Sequence, residues 1–254
     1  MNENIRKLIH RKSLDMQTDA FIQSDPLSIP KNFKKKQDIE ITALWIAVLS
    51  WGNRKSIINS GRRLLDLMER EPHDFMLHHT EKDKAAFLEF KHRTFQPTDA
   101  LYFLDFFQWY YRQYESLETA FFPQKKYPKA NTKEALERFH ENFFSLEHAP
   151  QRTRKHIATP AKKSSCKRLN MFLRWMVRRK GVDFGLWQRA SPAQLVVPLD
   201  VHVHRTALKL GLMKRKIADW QAAEELTALL KEWRPRDPVF YDYGLFALGN
   251  EGQF

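Results

Sequence analysis

The apolar positions of this chain recur with helical spacing over most of its length. Residues three and four positions apart are apolar in six long segments, a pattern typical of helices. These segments are 38–51, 56–68, 101–114, 133–144, 220–233 and 240–248. Segment 101–114 is aromatic on nearly every face, which indicates burial between other helices. With only eight glycines, the chain has few residues for tight β-turns. We therefore predict an all-α fold, with loops over 123–132 and 147–164.

A further helix is predicted in the most basic part of the chain. Residues 152–180 contain 11 Lys or Arg and no Asp or Glu. Apolar residues at i, i+3, i+4 and i+7 mark its buried face: Leu169, Phe172, Leu173 and Met176. We expect Ser164 or Ser165 to cap its start. We also expect its basic residues to lie mainly away from the apolar stripe: Arg168, Arg174, Arg178, Arg179 and Lys180. A phosphate backbone would relieve the repulsion among so many like charges.

Lys167 falls in the first turn of this predicted helix. The positive end of the helix dipole and the nearby Lys162, Lys163 and Arg168 disfavour a cation there. We therefore expect its pKa to fall below the usual value of about 10.4. A lysine with a lowered pKa is a nucleophile toward a sugar or carbonyl carbon. A simple phosphate contact is the alternative role.

Two interpretations stay open for the segment around Asp200. Alternating apolar and polar residues over 197–204 are typical of a strand, on which Asp200, His202 and His204 would share a face and bind a metal. We favour a helix that Asp200 caps and Gly211 ends, because Pro198 suits the approach to a cap better than a strand interior. Histidines two apart on a helix point in different directions and do not chelate together. A capping carboxylate stays ionised and would stabilise positive charge on a sugar ring; a purely structural cap is the alternative.

The composition of the chain limits the classes of partner and of site that it can have. The chain of 254 residues has 43 Lys and Arg against 30 Asp and Glu, a net charge of +13, which favours anionic partners. Cys166 is the only cysteine, so an intrachain disulfide and a cysteine-ligated zinc or iron–sulfur site are excluded. Residues 1–17 lack the apolar core of a secretory signal, and no apolar run approaches the roughly 20 residues of a membrane span. We expect a cytoplasmic protein.

Two runs resemble the helix-hairpin-helix DNA glycosylase superfamily. The run Val-Pro-Leu-Asp-Val-His-Val-His-Arg-Thr-Ala over 197–207 resembles its catalytic-aspartate segment, and residues 166–176 resemble the lysine-bearing second helix of its hairpin. Lys167 precedes Asp200 by 33 residues (200 − 167), a spacing longer than in endonuclease III and closer to archaeal 8-oxoguanine DNA glycosylase. Pro-Ala-Lys-Lys-Ser-Ser over 160–165 stands where the superfamily has a Gly-x-Gly phosphate-binding turn.

Over nearly its full length the chain resembles a bacterial family of the same superfamily, found mainly in Bacteroidetes. The blocks that carry this resemblance are 38–40, 51–55, 90–95, 166–177 and 237–249. It implies a two-domain all-α glycosylase fold with an interdomain cleft. Residues 38–150 would form the central domain, and residues 1–37 together with 151–254 a discontinuous one.

The resemblance also implies an activity and a set of site residues. The protein would be a DNA repair glycosylase with AP lyase activity that excises an oxidised purine, first of all 8-oxoguanine, from double-stranded DNA. It would work as a nucleoid-associated monomer without cofactor or metal. Lys167 would attack C1′ and Asp200 would assist. DNA contacts are expected from Asn53, Arg54, Lys162, Lys163, Ser164, Ser165, Arg168 and Arg205. The base pocket is expected from Trp51, His92, Arg93, Phe95 and Tyr243.

Two other functions stay open. One is a DNA-binding protein that has the same fold and no turnover. The other is a metal-dependent hydrolase that uses Asp200, His202 and His204.

Overall fold

The structure, a computed structural model, describes residues 3–250. This part of the chain is 63% helix and contains no strand, which confirms the all-α prediction. The α-helices are α1 Glu3–Asp15, α2 Asp19–Gln23, α3 Lys36–Leu49, α4 Arg54–Leu67, α5 Pro72–His78, α6 Glu81–Lys84, α7 Pro97–Tyr111, α8 Glu118–Phe121, α9 Lys133–Phe143, α10 Lys167–Val177, α11 Val201–Lys209, α12 Trp220–Trp233 and α13 Asp242–Asn250. Short 3₁₀ turns lie at Pro26–Ser28, Pro30–Asn32, Ala85–Glu89, Gln151–Lys155, Pro160–Lys162, Pro192–Gln194 and Pro238–Tyr241. None of the helices among the described residues has the length and apolar character that a bilayer crossing needs.

Local capping chemistry sets helix limits that periodicity alone misses. The predicted helix 101–114 in fact begins at Pro97, because Gln96 and Asp99 form a capping box around a proline in the first turn. The break between the predicted helical segments 38–51 and 56–68 is confirmed: Gly52 has a φ of +97°, and the Asn53 side chain accepts a hydrogen bond from the Ser56 amide. The helix after it therefore starts at Arg54, two residues before its apolar pattern.

The chain forms two compact units. The first comprises Met1–Gln23, Lys126–Glu137 and Thr159–Phe254, and the second comprises Ser24–Lys125 and Arg138–Ala158. The ranges predicted from the sequence differ from these units over residues 24–37, 126–137 and 151–158. Lys167 and Asp200 both belong to the first unit.

The second unit has an aromatic core. Trp45 of α3 packs against Phe103 of α7, with ring centroids 4.7 Å apart, and against Phe95, 5.8 Å away. A carboxyl group is buried beside this core: Glu40 accepts hydrogen bonds from the Tyr111 hydroxyl at 2.9 Å and the Leu117 amide at 3.0 Å. Polar as well as apolar contacts therefore join α3 to the end of α7 and to the segment after it.

In the first unit, α13 packs against both α1 and α11, and α10 is buried on nearly every face. The prediction that Arg174 and Arg178 lie away from the core is wrong, because each side chain is 2% exposed. Their counter-charges are Asp183, Asp237 and Asp242, which lie outside the basic stretch of the sequence. Arg179 and Lys180 are exposed, as predicted.

Candidate functional site

Lys167 is the first residue of α10 and is half-exposed, which confirms its predicted place in the first turn. The predicted serine cap is wrong: Cys166 occupies the cap position, in the left-handed region at φ 51°, and no side chain caps the helix. The Ser164 hydroxyl accepts a hydrogen bond from the Cys166 amide at 3.1 Å. The Ser165 hydroxyl instead donates to the carbonyl oxygen of Leu199 at 3.0 Å.

The bond from Ser165 to Leu199 joins the starts of two helices. It links the residue two positions before Lys167 to the residue immediately before Asp200. Asp200 is the N-cap of α11, and its Oδ1 accepts a hydrogen bond from the Val203 amide at 2.8 Å, so the helical interpretation of this segment is confirmed. The amine-bearing start of α10 and the carboxylate-bearing start of α11 are therefore neighbours in the first unit.

Asp242, at the start of α13, is a third member of this cluster that the sequence did not indicate. Its side chain accepts a hydrogen bond from Nη1 of Arg174, and the residue is 6% exposed. Burial raises the pKa of Asp242 to about 6. The positive charges of Arg174 and Lys167 lower this pKa, and the negative charge of Asp200 raises it. We call Lys167, Asp200 and Asp242 the charge cluster.

A buried ion-pair network extends from the charge cluster along α10. Arg174 lies 3.4 Å from Asp183, which also accepts a hydrogen bond from Arg178 at 2.9 Å. Arg178 Nε donates to both oxygens of Asp237 at 3.0 Å. Burial raises the pKa of Asp183, against the charges of the two arginines. Arg174 is seven residues, about two turns, beyond Lys167 on the same helical face, so the network fixes the face that carries the lysine.

The segment before α10 carries four of the eight residues predicted to contact DNA, and Arg168 follows in the first turn of the helix. Lys162 and Lys163 are exposed, while Ser164, Ser165 and Arg168 are half-exposed. Lys163 has a left-handed φ of 60°, and its carbonyl accepts a hydrogen bond from the Trp220 amide at 3.3 Å. This contact attaches the loop to the start of α12.

Two further charged groups lie on α10 and α11. Burial lowers the pKa of Arg168 to about 10. Arg205, also predicted to contact DNA, is exposed on α11.

Several residues predicted for the base pocket and the DNA contacts lie together in the second unit. The guanidinium of Arg93 lies 4.8 Å from the ring centroid of Trp51, and the His92 ring meets Trp51 edge-on at 6.1 Å. Trp51 is half-buried, and Asn53 and Arg54 follow it in the break before α4. Burial lowers the pKa of His92.

Phe95 and Tyr243 do not fit the roles predicted for them. Phe95 is 0% exposed and packs within the aromatic core of the second unit, so its ring is not accessible to a base. Tyr243 is buried in the first unit, and the guanidinium of Arg174 covers its ring at 3.9 Å from the centroid. Both side chains contribute to packing rather than to an open pocket.

The side chains of the two histidines after Asp200, His202 and His204, lie in different environments. Nε2 of the buried His204 is 2.9 Å from the Arg215 carbonyl oxygen, whereas His202 is exposed. Among the side chains that the structure describes, no group of three His, Cys, Asp or Glu is placed to hold a metal ion. The shared face that the metal-dependent hydrolase requires does not form, because the segment is a helix.

Taken together, these features define an all-α protein in which a hydrogen bond joins the segments before Lys167 and Asp200, and the charges of both residues shift the pKa of the buried Asp242. A family model described as "Protein of unknown function (DUF2400)" matches residues 25–251, most of the chain, and the chain belongs to this family. No curated protein and no solved structure matches it.

Proposed function

We propose that the protein is a DNA glycosylase with AP lyase activity, which removes an oxidised purine such as 8-oxoguanine from double-stranded DNA. The observation that carries the proposal is the hydrogen bond from Ser165 to Leu199, because it brings the start of the Lys167 helix beside the Asp200 cap. A nearby amine and carboxylate are the groups that attack at a sugar carbon requires. The two-domain helix-hairpin-helix arrangement, a monomeric state and a nucleoid location belong to the same proposal.

In the proposed reaction the target nucleotide leaves the base stack, since the glycosidic bond is not accessible within a duplex. The neutral amine of Lys167 attacks C1′, and the base departs with the electron pair of the glycosidic bond and takes up a proton. Asp200 stabilises the positive charge that develops on the sugar and accepts the proton that the amine loses. Opening of the sugar ring then gives a Schiff base, from which β-elimination of the 3′ phosphate nicks the strand.

The surroundings of Lys167 support an anionic substrate. A helix start attracts phosphate through its backbone N–H groups and its dipole, and the exposed Lys162 and Lys163 precede this one. Lys163 and Cys166 both adopt left-handed φ values, a conformation for which glycine is the usual residue. The superfamily that this segment resembles has a glycine-rich turn at this place, so the backbone shape supports a related function despite the different residues.

The proposal is tested by base release from a panel of lesion-containing duplexes. The wild-type protein is expected to release 8-oxoguanine, and Lys167→Gln and Asp200→Asn are expected to lower the rate by at least about 100-fold, within the range for removal of a catalytic group. Lys209→Gln, an exposed lysine at the end of α11, is the matched control and retains activity. Duplex binding by the wild-type protein without release of any base would support the DNA-binding protein without turnover.

A further inference from the structure

A groove lies at the other end of α10 from Lys167. It is formed by the residues that follow α10 (178–180), the turn over 187–192 and the residues that follow α12 (234–237), all within the first unit, and its volume is about 760 Å³. With 11 residues, α10 separates its two ends by about 16 Å. The groove is therefore distinct from the charge cluster.

The groove has a large excess of positive charge. Five cationic side chains line it against one carboxylate, Asp237. That carboxylate is already held by Arg178, which donates to both of its oxygens, and by Arg234, whose Nε lies 3.6 Å away. Arg178 also pairs with Asp183. These two arginines are thus neutralised within the fold.

The other three cations are uncommitted. Arg179, Lys180 and Arg236 are exposed, and their side chains make no hydrogen bond or ion pair to any group that the structure describes. A basic residue in the last turn of a helix offsets the helix dipole, but this effect is confined to that turn. Arg179, Lys180 and Arg236 lie beyond the ends of α10 and α12, so the dipole does not account for them.

The remaining wall of the groove is mostly apolar, with Gln188 and Ser191 as its uncharged polar residues. Val177, Pro192 and Pro235 line it together with Trp233, a half-buried ring that meets Tyr241 edge-on at 5.3 Å. A cavity of this size, with apolar walls and a few convergent charged groups, is typical of a site for a small organic ligand. Because three uncommitted cations surround one cavity, they match the clustered charges of an oligophosphate better than the spaced charges of a nucleic-acid backbone.

We propose that this groove binds a small organic oligophosphate of the nucleoside diphosphate type. Arg179, Lys180 and Arg236 bind the phosphates, and the organic part lies against Trp233 and the two prolines. Such a site goes beyond the proposed glycosylase activity and does not depend on it.

Calorimetric titration with inorganic pyrophosphate and with adenosine 5′-diphosphate, in buffer without divalent cations, tests the proposal. We expect both to bind the wild-type protein, the nucleotide more tightly because its organic part meets the apolar wall. The double variant Arg179→Gln/Arg236→Gln should bind both at least tenfold more weakly. The matched variant Arg11→Gln/Lys209→Gln, which removes two exposed cations of the same unit outside the groove, should bind both as the wild-type protein does.

Four results would overturn the proposal. The first is no binding of either probe by the wild-type protein, and the second is equal weakening in the matched variant. The third is a lower melting temperature of the groove variant with unchanged binding, which would assign these cations to stability. The fourth is weaker binding of an undamaged DNA duplex by the groove variant, together with duplex binding by the wild-type protein that adenosine 5′-diphosphate does not displace. This result would make the groove part of a DNA-binding surface. Lys167→Gln separates the two proposals, since it should lose base release and keep nucleotide binding.

Discussion

Replacement of Arg174 by methionine tests the buried network that holds α10. The Arg174 side chain is 2% exposed, contacts Asp183 and Asp242, and covers the ring of Tyr243. Methionine fills much of the same volume without the charge. Asp183 keeps Arg178 as a partner at 2.9 Å, so Asp242 is the carboxyl that loses its cation.

The expected cost follows from these contacts. Removal of one partner of a buried ion pair costs about 3–5 kcal/mol, because it leaves an uncompensated charge in the interior. Loss of the cation–π contact with Tyr243 adds up to about 2 kcal/mol. Both are large against a total stability of about 5–15 kcal/mol, so we expect a loss of about 4–6 kcal/mol when Asp242 is ionised.

The cost should depend on pH with a definite sign. Burial raises the pKa of Asp242 to about 6 in the folded protein, above the value of about 4 for an unfolded aspartate. The folded state therefore binds more protons in this range, and the stability from this group is full below pH 4 and lost as the pH rises through 6. Removal of Arg174 raises this pKa further. The variant should consequently lose much more stability at pH 8 than at pH 5, where Asp242 takes up a proton.

Urea unfolding of the wild-type protein and the variant at pH 5 and pH 8 provides the measurement. Arg179→Met is the matched control, since this arginine of the same segment is exposed, and its cost should stay within about 0.5 kcal/mol. Arg174→Lys restores the charge and should recover more than half of the loss at pH 8. A cost below about 1 kcal/mol at pH 8, or an equal cost at both pH values, would refute this account of the network.

Three further changes test the second unit and the Asp200 cap. Burial raises the pKa of Asp99, but hydrogen bonds from His156, the Gln96 amide and Thr153 hold it at about 2; Asp99→Asn should therefore cost about 2–4 kcal/mol at pH 7 and less as the pH falls toward 2 in urea unfolding. Asp200→Ser keeps a capping oxygen and should unfold within about 0.5 kcal/mol of wild type yet lose base release, whereas Asp200→Ala should also lose about 1 kcal/mol; full base release by the serine variant would make Asp200 a structural cap. Gly52→Ala should lower the melting temperature, because the glycine has a φ of +97° and an added Cβ would lie 2.2 Å from Nη1 of Arg93; an unchanged melting temperature would show that this turn relaxes freely.

Features encoded by neighbouring residues were predictable from the sequence. The cap at Asp200 follows from residues within one helical turn, and the break at Gly52 and Asn53 is equally local. The all-α class follows from periodicity over the whole chain, because a helix places its hydrogen bonds within its own segment. Lys167 could be placed in the first turn for the same reason.

Features encoded by distant residues were not predictable. Arg174 and Asp242 are 68 positions apart, and nothing in the basic stretch indicates that its arginines are neutralised from elsewhere in the chain. Ser165 has the composition of a cap, yet its hydroxyl bonds to Leu199, 34 positions away. Phe95 belongs to the core because Trp45 and Phe103 pack against it, a contact set by tertiary structure. In each case the role depends on a partner that only folding brings near.

Covalent trapping tests the role of Lys167 most directly. The protein is incubated with an 8-oxoguanine duplex in the presence of borohydride, which reduces a Schiff base to a stable adduct, and the modified peptide is located by mass spectrometry. We predict one adduct, on Lys167 of the peptide that begins α10, which is lost in Lys167→Gln and kept in Lys209→Gln. Base release without any adduct, or an adduct on another lysine, would contradict attack by this amine at C1′.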